Sequence, residues 1–280
     1  MPSTAPHSDD RAAPPAPMGQ RRIGAVNWLG LWTLYSKEVR RFIKVWTQTV
    51  AAPAVTTVLF MVIFALALGG GGRVVSSVPF QQFLAPGLMI MAILQNAFAN
   101  TSSSVLIGKV QGTIIDVLMP PLSAGELTVG YVLGGLTRGI LVGFAVALAF
   151  LAMPTVALEI HHPWAVAYFS TSAAVMLSLL GVLTGVWADK FDHAAAVTNF
   201  IVVPLSLLSG TFYSTARLPE AWQTASQLNP FFYMIDGFRY GMIGEADSNL
   251  TAGVVVTLAL NIGLWLLTYR VFRTGYRLKA

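Results

Sequence analysis

Apolar residues in this chain come in long blocks, not at the short alternation of a water-soluble domain. A helix that crosses a bilayer needs about 20 mostly apolar residues. Six blocks reach that length: residues 50–68, 83–107, 139–158, 164–187, 194–213 and 250–272. The first stops at Gly69-Gly70-Gly71-Gly72, and the fifth is interrupted by Pro204. The fourth carries Trp164 and Trp187 near its ends, as interfacial anchors do. The third block sits inside a longer helical pattern, Leu127 to Met153, that contains Arg138. A charge at mid-bilayer costs about 2.5 kcal/mol or more. The span is therefore expected to begin at Gly139, with Arg138 at the interface.

Two further patterns flank these blocks. Ahead of the first, Trp28, Leu31, Trp32, Tyr35, Val39, Phe42 and Trp46 fall on one side of a helix, and Lys37, Arg40, Arg41 and Lys44 on the other. That pattern predicts a helix lying in the membrane interface with its basic side toward anionic headgroups and cytoplasm. It serves as a surface anchor and is compatible with docking a cytoplasmic partner. Between the second and third blocks, Gly112 to Met119 predicts a short helix stopped by Pro120-Pro121. Ser123 then offers an N-cap, with Glu126 three positions on, as in a capping box.

Composition moves the solvent from water to lipid. Of 280 residues, 55% are hydrophobic and 10% charged, against about 25% charged in soluble domains. Mean hydropathy is +0.66. The net charge of +5 does not indicate nucleic acid, because the basic residues lie at the two ends and beside apolar runs. Their distribution predicts cytoplasmic termini. Arg21, Arg22, Lys37, Arg40, Arg41 and Lys44 flank the first span, and Arg270, Arg273, Arg277 and Lys279 the last. Lys109 and Lys190 follow spans two and four, and the other side holds Arg73, Arg217 and Arg239. Residues 1–20 are rich in Pro, Ala and Ser and read as a disordered tail, placed with its flank at 1–26, without a signal-peptide core behind it. Cysteine is absent, which excludes disulfides, thiol chemistry and Cys-ligated zinc.

The intramembrane chemistry is sparse. Gly135, Gly139 and Gly143, and Gly181 and Gly185, repeat at four-residue spacing and predict close helix packing. Asn96, Asn100 and Ser103 share one face of span two. They either bond between helices or line a path. No span carries a mid-membrane carboxylate, which weighs against a proton-coupled carrier. No P-loop motif, hydrolase constellation or geometrically defined metal cluster is visible. A secondary transporter or channel needing no ATPase is the rival reading. An integral-membrane enzyme acting on lipid would need a polar catalytic cluster that the chain does not present.

The stretch Gln227 to Gly244, QLNPFFYMIDGFRYGMIG, is too broken for a span and too apolar for a surface loop. Its Asp236 and Arg239 are spaced to pair on one helical face.

Taken together, these segments resemble the membrane subunit of ABC-2 type transporters over about Trp28 to Arg273. The amphipathic helix, the run GTIIDVLMPPLSAGEL, and the run from Pro204 to Gly241 carry the resemblance. In that family a Leu-Pro pair is followed by Pro, an apolar residue, any residue, Tyr or similar, then five residues and Arg. Leu218, Pro219, Pro230, Phe231, Phe232, Tyr233 and Arg239 stand at those positions. The YMIDGFRYG form is similar to the bacterial inner-membrane subgroup placed with multidrug-type exporters. Asp116 stands where many members have Glu.

The resemblance implies an all-α, multi-pass protein of the bacterial inner membrane, with residues 27–280 forming its transmembrane domain. It implies an interface helix, a cytoplasmic gate helix, and re-entrant outward half-helices between spans five and six. The chain itself would be no enzyme, with neither catalytic nor metal residues and no cofactor of its own. Two permease copies would form the path, and two ATPase subunits, carrying ATP and Mg, would drive export. Lys37, Arg40, Arg41, Lys44, Gly112, Thr113, Asp116, Pro120, Pro121 and Glu126 would couple to the ATPase. Leu218, Pro219, Pro230, Tyr233, Asp236 and Arg239 would form the outward cap.

Overall fold

The computed structural model describes residues 24–68, 74–75, 77–153, 156–215 and 218–278. The tail to residue 23, the Gly69–Gly72 run, Arg73, Arg217 and Lys279 lie outside the described residues.

The chain is almost wholly helical. Helix α1 (Trp28–Ile43) leads through a π-helical turn (Thr47–Ala51) into α2 (Ala52–Leu68). Two-residue strands β1 (Val74–Val75) and β2 (Val78–Pro79) pair antiparallel around Ser77, whose φ is 57°. This hairpin has no counterpart in the sequence reading; two residues are too few to leave an alternation. Then come α3 (Phe80–Val110), α4 (Ile114–Leu118), α5 (Ala124–Leu151) and α6 (Pro163–Trp187). Helix α7 (Phe191–Val197), a second π-helical turn (Thr198–Val202) and α8 (Val203–Leu208) run on as one rod. The π turn takes up the irregularity that Pro204 imposes just beyond it. Short helices α9 (Glu220–Gln227) and α10 (Pro230–Ile243) precede α11 (Leu250–Thr274).

Among the described residues, six helices are long and apolar enough to cross a membrane: Thr47–Ala67, Phe80–Val110, Ala124–Leu151, Pro163–Trp187, Phe191–Leu208 and Leu250–Thr274. Helix α3 is enclosed along most of its length, whereas few residues of the first, fifth and sixth are buried. Glycines bring α5 and α6 onto α3. A Cβ on Gly181 would lie 2.6 Å from the Phe98 carbonyl oxygen, and one on Gly185 2.9 Å from that of Ser102. On α5, a Cβ on Gly143 would meet the Ile93 side chain at 2.6 Å. Backbones this close leave no room for a side chain.

Helix α5 departs from expectation. It is continuous from Ala124 to Leu151, so Arg138 stands near its middle and not before its start. The chain has already left helix over residues 156–158, which the sequence assigned to this span. Arg138 tolerates that position because its Nη2 donates to Asn96 Oδ1 on α3 at 3.1 Å.

A second apolar cluster lies apart from the main core. It joins Leu34 of α1, Ile114 of α4, Leu127 and Tyr131 of α5, Val186 of α6 and Phe272 of α11. This places α1, α4 and the ends of α3, α6 and α11 on one face, called here the terminal face.

Candidate functional site

On the terminal face, one carboxylate joins two helix starts. Glu126 Oε1 accepts the Asn27 N–H at 2.5 Å, and Oε2 accepts the Ser123 N–H at 2.6 Å. Ser123 Oγ accepts the Glu126 N–H in return, completing the expected capping box. Asn27 caps α1 through Gly30 and donates from Nδ2 to the Pro121 carbonyl at 3.2 Å. Glu126 thus serves the positive ends of α1 and α5 together. Expected as an ATPase contact, it is buried with both oxygens engaged.

Beside this joint, the first turns of α1 face α4 and Pro120-Pro121 across a groove of ≈ 610 Å³. Trp28, Leu29, Leu34, Val117 and Leu122 give it apolar walls, and Lys37 and Asp116 contribute charge. Gly112, at φ +72°, makes the left-handed turn that starts this segment. Arg40, Lys44 and Thr113 are also exposed on this face. At the end of α3, Lys109 Nζ donates to the carbonyls of Val186 (2.5 Å) and Ala188 (2.8 Å), and Arg277 donates to that of Trp187 (3.0 Å). Two cations therefore close the C-terminal end of α6. The segment around α4 packs on the end of α3 and shares the second apolar cluster with α1, α5 and α6.

Helix α1 presents three faces where the sequence predicted two. Leu34, Glu38 and Phe42 are buried against the protein. Trp28 (72% exposed) and Trp32 (64%) remain outside with Trp46. Lys37, Arg40 and Lys44 form the basic face. Arg41 belongs to the protein face, a correction to the helical pattern. Its Nη2 donates to Glu38 Oε2 (3.2 Å), the Asn100 carbonyl (2.7 Å) and Asn100 Oδ1 (3.0 Å), and its Nη1 to Ser103 Oγ (3.2 Å). Ser104 Oγ donates to Glu38 Oε1 at 2.6 Å. Asn100 and Ser103 thus meet α1, while Asn96 meets Arg138. Sequence reasoning passed over Glu38; the signal available was a single acid three positions before Arg41 in an otherwise basic helix.

On the opposite face, α10 is locked at both ends. Asn229 caps it, accepting from Phe231 N–H and donating to the Leu205 carbonyl (2.9 Å) and Ser209 Oγ (2.8 Å). Pro230 and Phe231 share a cavity with Phe98, midway along α3. At the other end Gly244, at φ +81°, terminates the helix, and the Gly241 carbonyl accepts from His161 and His162 N–H. At 14 residues, α10 is about 21 Å long, short of a bilayer core. Pro219 opens α9, the half-buried Leu218 accepts from Gln223, and Tyr233 lies against Gly253 of α11.

Asp236 and Arg239 are both buried but do not pair. Asp236 accepts from Asp247 N–H (2.9 Å), Ser248 N–H (2.8 Å) and Ser248 Oγ (2.6 Å). Arg239 Nη2 donates to the Gly210 carbonyl at 2.6 Å, and its guanidinium lies 4.0 Å from the Phe83 ring centroid. Loop donors and acceptors out-compete the short-range pair that spacing suggested. Asp247 extends the network to Ser214 and Thr215.

Comparison with known proteins shows the family to which the chain belongs. A profile of the ABC-2 type transporter family matches residues 30–243. The chain is 36% identical to inner membrane transport permease YadH of Escherichia coli (strain K12), over 90% of this chain and 98% of that protein. It is 24% identical to nodulation protein J of Rhizobium leguminosarum bv. viciae, over 81% of this chain and 86% of that protein. A third relative, nodulation protein J of Sinorhizobium fredii (strain NBRC 101917 / NGR234), is 23% identical over 85% of this chain and 92% of that protein. The chain belongs to the ABC-2 type transporter family: it is a transport permease, the membrane subunit of an ABC transporter that works with an ABC ATPase, and not an enzyme.

Proposed function

We propose that this chain is the permease of an exporter moving a hydrophobic or amphipathic substrate across the bacterial inner membrane. Two copies form the path, and two ATPase subunits dock on the terminal face, which lies in the cytoplasm. ATP and Mg act on those partner chains. The groove between α1 and α4 carries this reading. It is apolar, bears Lys37 and Asp116, and is fixed to three long helices through Glu126, Lys109 and the second apolar cluster. A partner helix seated there would pass its displacement to α3, α5 and α6 as one body. Charge at the groove would set register and partner choice more than affinity. ATP drives the cycle only if the ATPase holds the two permease states with different affinity.

In the same picture α1 lies in the membrane interface, with Trp32 and Trp46 in lipid and Arg40 and Lys44 at headgroups, while Trp28 and Lys37 line the groove. Helix α10 dips to mid-membrane from the outer face. Its non-helical flanks at that depth are tolerable because the side chains of Asn229, Arg239 and Asp236 satisfy backbone groups there.

The test is Asp116→Lys in the permease purified with its ATPase and reconstituted in proteoliposomes. Transport per ATP hydrolysed should fall at least about tenfold, the effect of losing roughly 1.4 kcal/mol of coupling. Full coupling in Asp116→Lys would remove the coupling role from this groove.

A further inference from the structure

The polar cluster between α1, α3 and α5 has too many donors. Its members step along α3 as Ser104, Ser103, Asn100 and Asn96, from the terminal face to the middle of the helix. Arg41, with its side chain 27% exposed, stands at the terminal end, and Arg138, 9% exposed, at the inner end. Glu38 offsets the charge of Arg41. Arg138 forms no ion pair with any described carboxylate; Asn96 Oδ1 is its hydrogen-bond acceptor. Three buried atoms here lack a protein partner: Arg41 Nε, Asn100 Nδ2 and Arg138 Nε. All three are donors.

A buried guanidinium with no counter-charge is costly, and polar or charged groups at membrane depth mark paths and ligand contacts. The missing component has a defined chemistry. It accepts hydrogen bonds, and the unpaired guanidinium favours one that carries negative charge. Guanidinium favours a planar, multi-oxygen partner that it can engage with two parallel bonds.

We infer that Arg138, with Asn96 and Asn100, is a receptor for the oxyanion of the transported molecule, a phosphate-type headgroup on an amphipath drawn from the terminal-face leaflet. Arg41 stands at the mouth of the stripe, and Arg138 draws the headgroup inward. The apolar part of the substrate stays in lipid or among the exposed helix faces. This assignment rests on the export reading and adds the substrate class to it.

The test measures binding on the full-length chain, so its failure is distinguishable from a failure of ATPase coupling or export. The protein is placed in micelles of a non-ionic, phosphate-free maltoside detergent. One arm adds inorganic phosphate against chloride at matched ionic strength, and the other adds phosphatidylglycerol. Wild type should show a saturable rise in its thermal unfolding midpoint. A response to phosphatidylglycerol alone identifies a lipid headgroup as the source; a response in both arms identifies the free anion as sufficient. Arg138→Gln should lose the response and, without added anion, be at least as stable as wild type, because the lone buried cation is gone. Asn96→Asp places a carboxylate beside Arg138; it should raise the anion-free midpoint and abolish the response. Arg138→Lys should respond with half-saturation weakened about tenfold, as the two-pronged contact is lost. No response of wild type in either arm would overturn the inference. So would a full response in Arg138→Gln or Asn96→Asp, or a lower anion-free midpoint in both, which marks a purely structural role.

Discussion

Removing the Glu126 carboxylate should release the start of α1 while leaving the rest of the bundle intact. In Glu126→Ala two hydrogen bonds disappear, from Asn27 N–H and Ser123 N–H. Ser123 is exposed, so water replaces much of what it loses. Its share is that of a helix cap, about 1 kcal/mol. Asn27 is only partly exposed and bonds to a charged acceptor, which adds about 1.5–3 kcal/mol. Of the two, only the Asn27 bond joins α1 to α5, so its share, about 1.5–3 kcal/mol, is the free energy by which α1 should detach more readily. At 1.4 kcal/mol per factor of ten this is about ten- to a hundredfold in the local opening constant. Hydrogen exchange in nanodiscs reads it directly. Amides of the first two turns of α1 should exchange about ten- to a hundredfold faster in Glu126→Ala, with α6 unchanged. Glu126→Gln keeps one acceptor oxygen and should fall between. Unchanged exchange in α1 would refute the idea that one carboxylate holds the two helix starts.

Three other outcomes follow from the packing and the cap. Gly181→Ala pushes a methyl to 2.6 Å from the Phe98 carbonyl oxygen and should destabilise by about 1–3 kcal/mol; Gly263→Ala, with nothing within 4 Å, should be neutral or stabilising in the same thermal assay. Asp236→Asn opposes an amide to the Asp247 or Ser248 N–H and should cost about 2 kcal/mol or more, seen as faster proteolysis at residues 244–249. Arg239→Leu leaves the Gly210 carbonyl buried without its donor and should lower the thermal midpoint and export together; retention of both would remove any role for Arg239 in the cap.

The long helices were legible because crossing lipid demands a run of apolar residues, and that demand is written locally. Capping at Ser123 and Glu126 was legible for the same reason, as its partners are three residues apart. Errors arose where the partner was distant in sequence. Arg138 looked too costly for a helix centre because Asn96, 42 positions away, could not be seen to face it. Arg41 looked solvent-facing because a helical wheel has no knowledge of α3. Asp236 and Arg239 looked like a pair because their loop partners at Gly210 and Asp247–Ser248 have no signature. Glu126 was legible as a cap but not as a joint between two helices, because Asn27 stands 99 positions away.

The central claim is that the ATPase seats in the groove between α1 and α4. The chain contains no cysteine, so a single introduced thiol reports one place only. Asp116→Cys and Lys37→Cys, each co-expressed with the partner ATPase and treated with a short bismaleimide, should give a permease–ATPase adduct. Ala246→Cys, exposed on the opposite face, should give none. An adduct absent from both groove positions in an intact complex, or equally strong at Ala246→Cys, would contradict the account.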